Sequence, residues 1–119
     1  MILRQFLKSK IHMAKITKTV LNYEGSIGID GKLLSESDIM PSEKVQVLNF
    51  NNGQRFETYV IEEEKGSGII ALYGPAARCG RTGDRLCILS YVLIDKEDDK
   101  EIKTRKIVVD ENNRIKGKK

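Results

Sequence analysis

The chain has 119 residues, 39% hydrophobic and 32% charged, which suits one globular domain with a single core and leaves no room for a second. No apolar run approaches a membrane span, and the opening MILRQFLKSKIH lacks a sustained apolar stretch before a small-residue cleavage site, so a cytoplasmic protein with no membrane partner is expected. The net charge of +4 permits an anionic partner, nucleic acid or acidic small molecule, without choosing between them, and part of it sits in the terminal KGKK, read as a solvated tail.

Most of the chain reads as short strands with turn punctuation. Residues 10–22 carry β-branched and apolar side chains without a helical stripe, and Ile27-Gly28-Ile29 follows Gly25-Ser26. The spacing of GKLLSESDI predicts a short helix over 31–39, with Pro41 just past its end. Val45 to Phe50 alternates as a strand. Asn51-Asn52-Gly53 predicts a hairpin turn, because Asn and Gly tolerate positive φ. The return strand is RFETYVIEE, residues 55–63, followed by a turn at Gly66-Ser67-Gly68 and a strand from Ile69 to Tyr73. Pro75-Ala76-Ala77 begins a helical turn. Thr82-Gly83-Asp84 turns into RLCILSYVLI, read as the final hydrophobic strand. Residues 95–106 form a charge run, read as a solvated linker, and 107–110 as an added strand or interface segment. The expected division is a β-barrel domain over 1–94 and a charged extension over 95–119. Many short strands, one or two short helices and frequent glycines favour a mainly β, compact barrel.

Cys79 and Cys87, eight positions apart without CxxC spacing, are expected as free thiols. His12 is the only histidine, which excludes a multi-histidine metal centre, and no metal is expected.

Chemistry-bearing residues recur at strand spacing. Lys10 and His12 lie two apart, which points both to one face of a strand. Arg55 and Tyr59, four apart, share a face of a second strand, with Thr58 on the other. Taken singly, each has a structural reading: Lys10 as a surface cation, His12 as a partly buried polar residue, Tyr59 as a core or rim aromatic, Gly25-Ser26 as a turn.

In order, LKSKIH, LNYEGSIGID, NNGQRFETYVI and GSGIIALYGPAARCGRTGD resemble the aspartate α-decarboxylase family from about Leu7 to Val92. The resemblance implies a double-psi β-barrel and a homotetramer with sites at subunit interfaces. It implies cleavage between Gly25 and Ser26, giving chains 1–25 and 26–119, with Ser26 becoming a pyruvoyl group. That ketone would form a Schiff base with L-aspartate and act as the electron sink that pyridoxal phosphate provides elsewhere, so no external cofactor is expected. The product would be β-alanine, for pantothenate and coenzyme A synthesis.

The resemblance implies the following roles, residue by residue, as expectations. Ser26 attacks the Gly25 carbonyl, with Thr58 near that carbonyl and Tyr23 shaping the loop. Arg55 clamps a substrate carboxylate, Lys10 adds a second positive charge, and His12 bonds substrate or positions Lys10. Tyr59 donates the proton that replaces carbon dioxide. Gly74, Pro75 and Ala76 line the substrate site. Here the sequence departs from the family's usual Asn-Gly-Ala-Ala-Ala: Tyr73 replaces asparagine and Pro75 the first alanine, which bears on cleavage and substrate preference. Two other readings compete: a non-processing homologue with a regulatory role, and a basic barrel that binds nucleic acid. Against the second, bases are scattered among acids and aromatics make up only 6%, with no stacking platform.

Overall fold

Side-chain alternation sends most of this chain into strands, and the order in which they pair decides what meets at the site. The structure, a computed structural model, describes residues 1–98 and 102–118. Residues 99–101, the centre of the expected charged linker, and Lys119 lie outside the described residues.

Nine strands form among the described residues: β1 (Leu3–Lys15), β2 (Lys18–Val20), β3 (Ser26–Asp30), β4 (Lys44–Asn49), β5 (Arg55–Glu63), β6 (Ile70–Tyr73), β7 (Arg85–Asp95), β8 (Arg105–Val109) and β9 (Ile115–Lys118). The helix α1 spans Gly31–Ser37, and a 3₁₀ helix spans Gly74–Cys79. The strands hydrogen-bond in the order β2-β6-β3-β5-β4-β7-β1-β8-β9. Because β2 resumes the run of β1 after two residues, the sheet returns to its own start. The closed wall is β1 with β2, then β6, β3, β5, β4 and β7, a double-psi β-barrel with two short helices. Closure removes the sheet edges from the barrel. Its core is a packed layer of aliphatic side chains that includes Ile11, Ile27, Ile29, Val47, Leu72 and Ile88, all fully buried.

Local chemistry explains the element ends. Asp30 caps α1 by accepting a hydrogen bond from the Lys32 N–H at 2.9 Å. The helix stops at Asp38, whose left-handed backbone (φ 60°) returns its N–H to the Leu34 carbonyl. In the β4–β5 hairpin only Gly53 adopts positive φ (+74°). The asparagines expected to share that role act through hydrogen bonds instead. Asn51 Oδ1 accepts from the Arg85 N–H and Asn52 Oδ1 from the Gln54 N–H, both at 2.9 Å. β1 carries irregularities between Leu7 and Ser9 and between His12 and Ala14. At the second, Met13 sits at φ +70°, and Arg85 donates to its carbonyl at 2.8 Å.

β7 is not the last strand. β8 runs parallel to β1, pairing Ser9 through His12 with Arg105 through Val108, and β9 folds back on β8. β8 falls on the segment read from sequence as an added strand over 107–110, with Ile107 and Val109 buried, whereas β9 falls where a solvated tail was expected.

A polar knot ties β1, β7 and the start of β4. Lys8 Nζ lies 3.3 Å from Glu43 Oε2 and also donates to the Asp38 carbonyl. The Ser90 hydroxyl donates to Glu43 Oε2, and the Met40 N–H donates to Oε1 at 3.0 Å. Burial by itself would raise the Glu43 pKa. The Ser90 and Met40 hydrogen bonds and the Lys8 ammonium outweigh it and hold the group below its ordinary 4.5. A depressed native pKa means stability that is complete above 4.5 and lost as pH falls through the lower native value. Glu43→Gln should therefore flatten the acid limb: the variant loses less stability than the parent from neutral pH to about pH 3. Urea midpoints across that range test this, and parallel curves would contradict it.

Candidate functional site

The sequence-predicted residues fall into two groups on the barrel. The first is an outer sheet face. Cross-strand register places His12, Cys87, Leu48 and Arg55 in one row, and Lys10, Leu89, Gln46 and Glu57 in the next. Directly opposed residues share a face, so Lys10, His12 and Arg55 project from the same surface. Tyr59, two residues beyond Glu57 and 41% exposed, continues it. The His12 ring meets Phe50 edge-on, with centroids 5.5 Å apart. The Cys87 thiol is pushed up by burial, and the Lys10 ammonium acts on it in the opposite direction. Lys10 and His12 lie on β1, three strands from β5. At roughly 4.8 Å per strand, that is about 14 Å from Arg55 within one chain.

The second group surrounds the Gly25–Ser26 peptide. Ser26 opens β3 and is fully buried, and its hydroxyl has no hydrogen-bond partner among the described residues. Leaving such a group unpaired costs about 1–3 kcal/mol, so the fold holds it at a penalty. Gly74 presses on the preceding loop. Its φ is +66°, and a Cβ there would stand 2.6 Å from the Tyr23 carbonyl oxygen and 2.8 Å from Gly25 Cα and N. A Cβ on Gly25 would stand 3.3 Å from Pro75 Cδ. Glycine is thus required at 74 both for conformation and for space.

Strand β5 connects the groups. It runs parallel to β3 from the pair Ile27↔Val60, so Ser26 and Tyr59 each lie one residue before it. Along β5, exposure alternates: Arg55, Glu57 and Tyr59 face out, Phe56 and Thr58 turn in. Gly25, Phe56, Glu57, Thr58, Pro75, Ala76 and Cys79 line a cavity of about 290 Å³. Of the predicted residues, Gly25, Thr58, Pro75 and Ala76 therefore meet in one cavity, with Ser26 and Gly74 adjoining it. Lys10, His12, Tyr23, Arg55 and Tyr59 are not among the residues that line it.

Tyr73 is the paired partner of Ser26 across β3 and β6. Its ring lies 4.8 Å from that of Tyr23, and its hydroxyl donates to Glu63 Oε2 at 2.6 Å. Burial first, then the bond to Glu63 and its negative charge, push the phenol well above the ordinary tyrosine range, so it stays protonated. Glu63 was not singled out from the sequence, and Cys79 was read there only as a free thiol. Glu63 has no local motif and is joined to Tyr73 only by sheet pairing, and Cys79 carried no signal beyond that of a free thiol. Among the described residues, no group of three or more His, Cys, Asp or Glu side chains is placed to hold a metal. No described helix is long and apolar enough to cross a membrane.

Fold and site together define a small double-psi barrel protein organised around a buried serine that follows glycine. Residues 2–116 match the model of the family described as aspartate decarboxylase. Similar proteins include the aspartate 1-decarboxylase of Thermoanaerobacter pseudethanolicus, 54% identical over 93% of this chain and 95% of the relative. Those of Caldicellulosiruptor saccharolyticus and Cytophaga hutchinsonii are each 50% identical over 93% of this chain, covering 87% and 96% of the relatives. The chain belongs to the aspartate decarboxylase family.

Proposed function

We propose that this chain cuts itself between Gly25 and Ser26 and decarboxylates L-aspartate to β-alanine and carbon dioxide, a cytoplasmic step toward pantothenate and coenzyme A. The observation that carries the reading is the Ser26 hydroxyl: buried, unpartnered among the described residues, and next in the chain to a carbonyl whose loop is pressed against Gly74. Family membership supports the reaction.

In the cut, Ser26 Oγ adds to the Gly25 carbonyl carbon, its proton passes to the peptide nitrogen, and the peptide N–C bond gives way to an ester. Elimination of the Gly25 carboxylate then divides the chain and leaves dehydroalanine at 26, which takes up water and loses ammonia to become the pyruvoyl group. The loop's packing keeps the attacking hydroxyl and the Gly25 carbonyl close without a diffusional search. Thr58, turned inward beside Gly25, is the hydroxyl assigned to that carbonyl, and Tyr23 shapes the loop. The residues fit a pyruvoyl group at position 26. No hydrogen bond to the serine oxygen has to be broken, and the adjoining cavity has room on the Thr58–Pro75–Ala76 side. Once formed, that group supplies an electron sink for the carbon that loses carbon dioxide, so no metal or pyridoxal phosphate is called for.

The outer face supplies recognition. Arg55 would pair one substrate carboxylate through its fork of N–H donors, Lys10 adds charge, and His12 orients Lys10 or the substrate. The Tyr59 hydroxyl would deliver the proton to the α-carbon, while Gly74, Pro75 and Ala76 form the wall. Lys10 and His12 need a second copy to complete a pocket with Ser26. Tyr91 and Leu93, 38% and 60% exposed on the same side of β7 as Cys87 and Leu89, give that face an apolar surface to bury. This supports a homotetramer with sites between subunits.

Denaturing mass spectrometry tests the cut. Chains 1–25 and 26–119 are expected, the larger lighter by one ammonia than a serine-started fragment. A chain that stays whole and forms no β-alanine overturns the proposal in favour of a non-processing homologue. Arg55→Ala should cleave normally yet lose about 3 kcal/mol of transition-state binding, roughly a hundredfold in kcat/KM for aspartate. Unchanged β-alanine formation would remove Arg55 from the site.

A further inference from the structure

The loop ahead of Ser26 is gripped by a side chain that the cleavage chemistry itself does not use. Tyr73 is 7% exposed and stands opposite Ser26 in the β3–β6 pairing. Its hydroxyl is anchored on Glu63 at 2.6 Å, and Lys18 Nζ lies 5.9 Å from its ring centroid. Gly28 makes the room for this arrangement: a Cβ there would stand 2.9 Å from Tyr73 Cε2 and 2.0 Å from Glu63 Oε2. The anchored ring tilts 37° against that of Tyr23, which is itself 57% exposed. The next residue, Gly74, leaves room for the Tyr23 carbonyl, which a Cβ there would meet at 2.6 Å. Tyr73 thus packs against the side chain of Tyr23, and Gly74 lets the Tyr23 backbone lie close to the same strand end.

We propose that Tyr73 is a positioning residue for self-cleavage, acting through Tyr23 to hold the Tyr23–Gly25 segment so that the Gly25 carbonyl stays within reach of the Ser26 hydroxyl. This rests on the reading that the chain cuts itself. Tyr73 stands where the sequence departs from the family's usual asparagine, so this chain grips the loop with an aromatic ring rather than an amide. The free energy of an aromatic pair enters the cleavage rate only if the stack persists in the attack geometry.

The test follows the appearance of chain 26–119 by mass spectrometry, well below the melting temperature. It uses the parent, Tyr73→Ala, Tyr23→Ala, the double variant and Tyr73→Phe, with melting curves for each. Tyr73→Ala and Tyr23→Ala should each slow cleavage roughly five- to tenfold. The double variant should be no slower than the slower single, because both remove one contact. Tyr73→Phe keeps the ring, loses the Glu63 anchor, and should fall between parent and Tyr73→Ala. A structural role would lower melting temperatures but would not produce this non-additivity in rate. Tyr73→Ala cutting at the parental rate, or single effects that multiply in the double variant, overturns the proposal. Should Tyr73→Ala fail to fold, the exposed Tyr23 carries the test, and parental cleavage by Tyr23→Ala refutes it. A parent that never cuts overturns the self-cleavage reading and this proposal together, whereas a cutting parent beside an unchanged Tyr73→Ala overturns this one alone.

Discussion

A Ser26→Ala chain should fold, stay whole, and form no β-alanine. Two effects of the substitution run in opposite directions, and that opposition is what makes it informative. The serine hydroxyl sits in β3 with no exposure and no partner among the described residues. Deleting it removes a buried polar atom that lacked compensation, so folding stability should hold or rise by about 1 kcal/mol. The same deletion removes the nucleophile, and an uncatalysed peptide bond is stable on any laboratory timescale, so cleavage and turnover should fall below detection. Melting curves and intact mass are the two measurements. A serine that merely ended a turn would show the reverse, a modest loss of stability with cleavage unaffected. A Ser26→Ala chain that still divides would end the proposed mechanism.

Sequence spacing carried those parts of the fold that depend on neighbours in the chain. The β4–β5 hairpin, the short helix after Asp30, and the opposed faces of Arg55 and Thr58 follow from turn chemistry and from periods of two or 3.6 residues. What spacing does not encode is which strand lies beside which. Lys10 and Arg55 share a face, yet three strands separate them, and only the order β5-β4-β7-β1 shows it. Gly25-Ser26 looks like a surface turn. Its burial comes from Gly74 and Pro75, far along the chain, closing over it. The Tyr73–Glu63 bond arises because β3 pairs with both β5 and β6, a tertiary fact with no local trace.

Asp30→Ala should destabilise the barrel by about 4 kcal/mol. Asp30 is 1% exposed at the end of β3. Its Oδ1 accepts from the N–H groups of Lys32 and Gly66 at 2.9 and 2.8 Å, and its Oδ2 accepts from that of Gly68 at 2.9 Å. One carboxylate therefore caps α1 and fixes the turn that leads into β6. Alanine would leave three backbone donors unpaired, two of them in a turn whose glycines sit at φ +80° and +72° and cannot easily find another arrangement. Against a typical total of about 5–15 kcal/mol, that is a large fraction. Asp30→Asn separates the contributions. Its single oxygen can keep Lys32 and Gly66, but its amide nitrogen then faces the Gly68 N–H, donor against donor, and roughly half the loss should remain. Urea midpoints should rank the parent first, Asp30→Asn second and Asp30→Ala last. Because β3 begins with Ser26 and β6 ends with Tyr73, beside Gly74, loosening the far ends of both strands should also slow the cut at temperatures where the fold survives. An Asp30→Ala chain as stable as the parent would show that the three hydrogen bonds contribute nothing net.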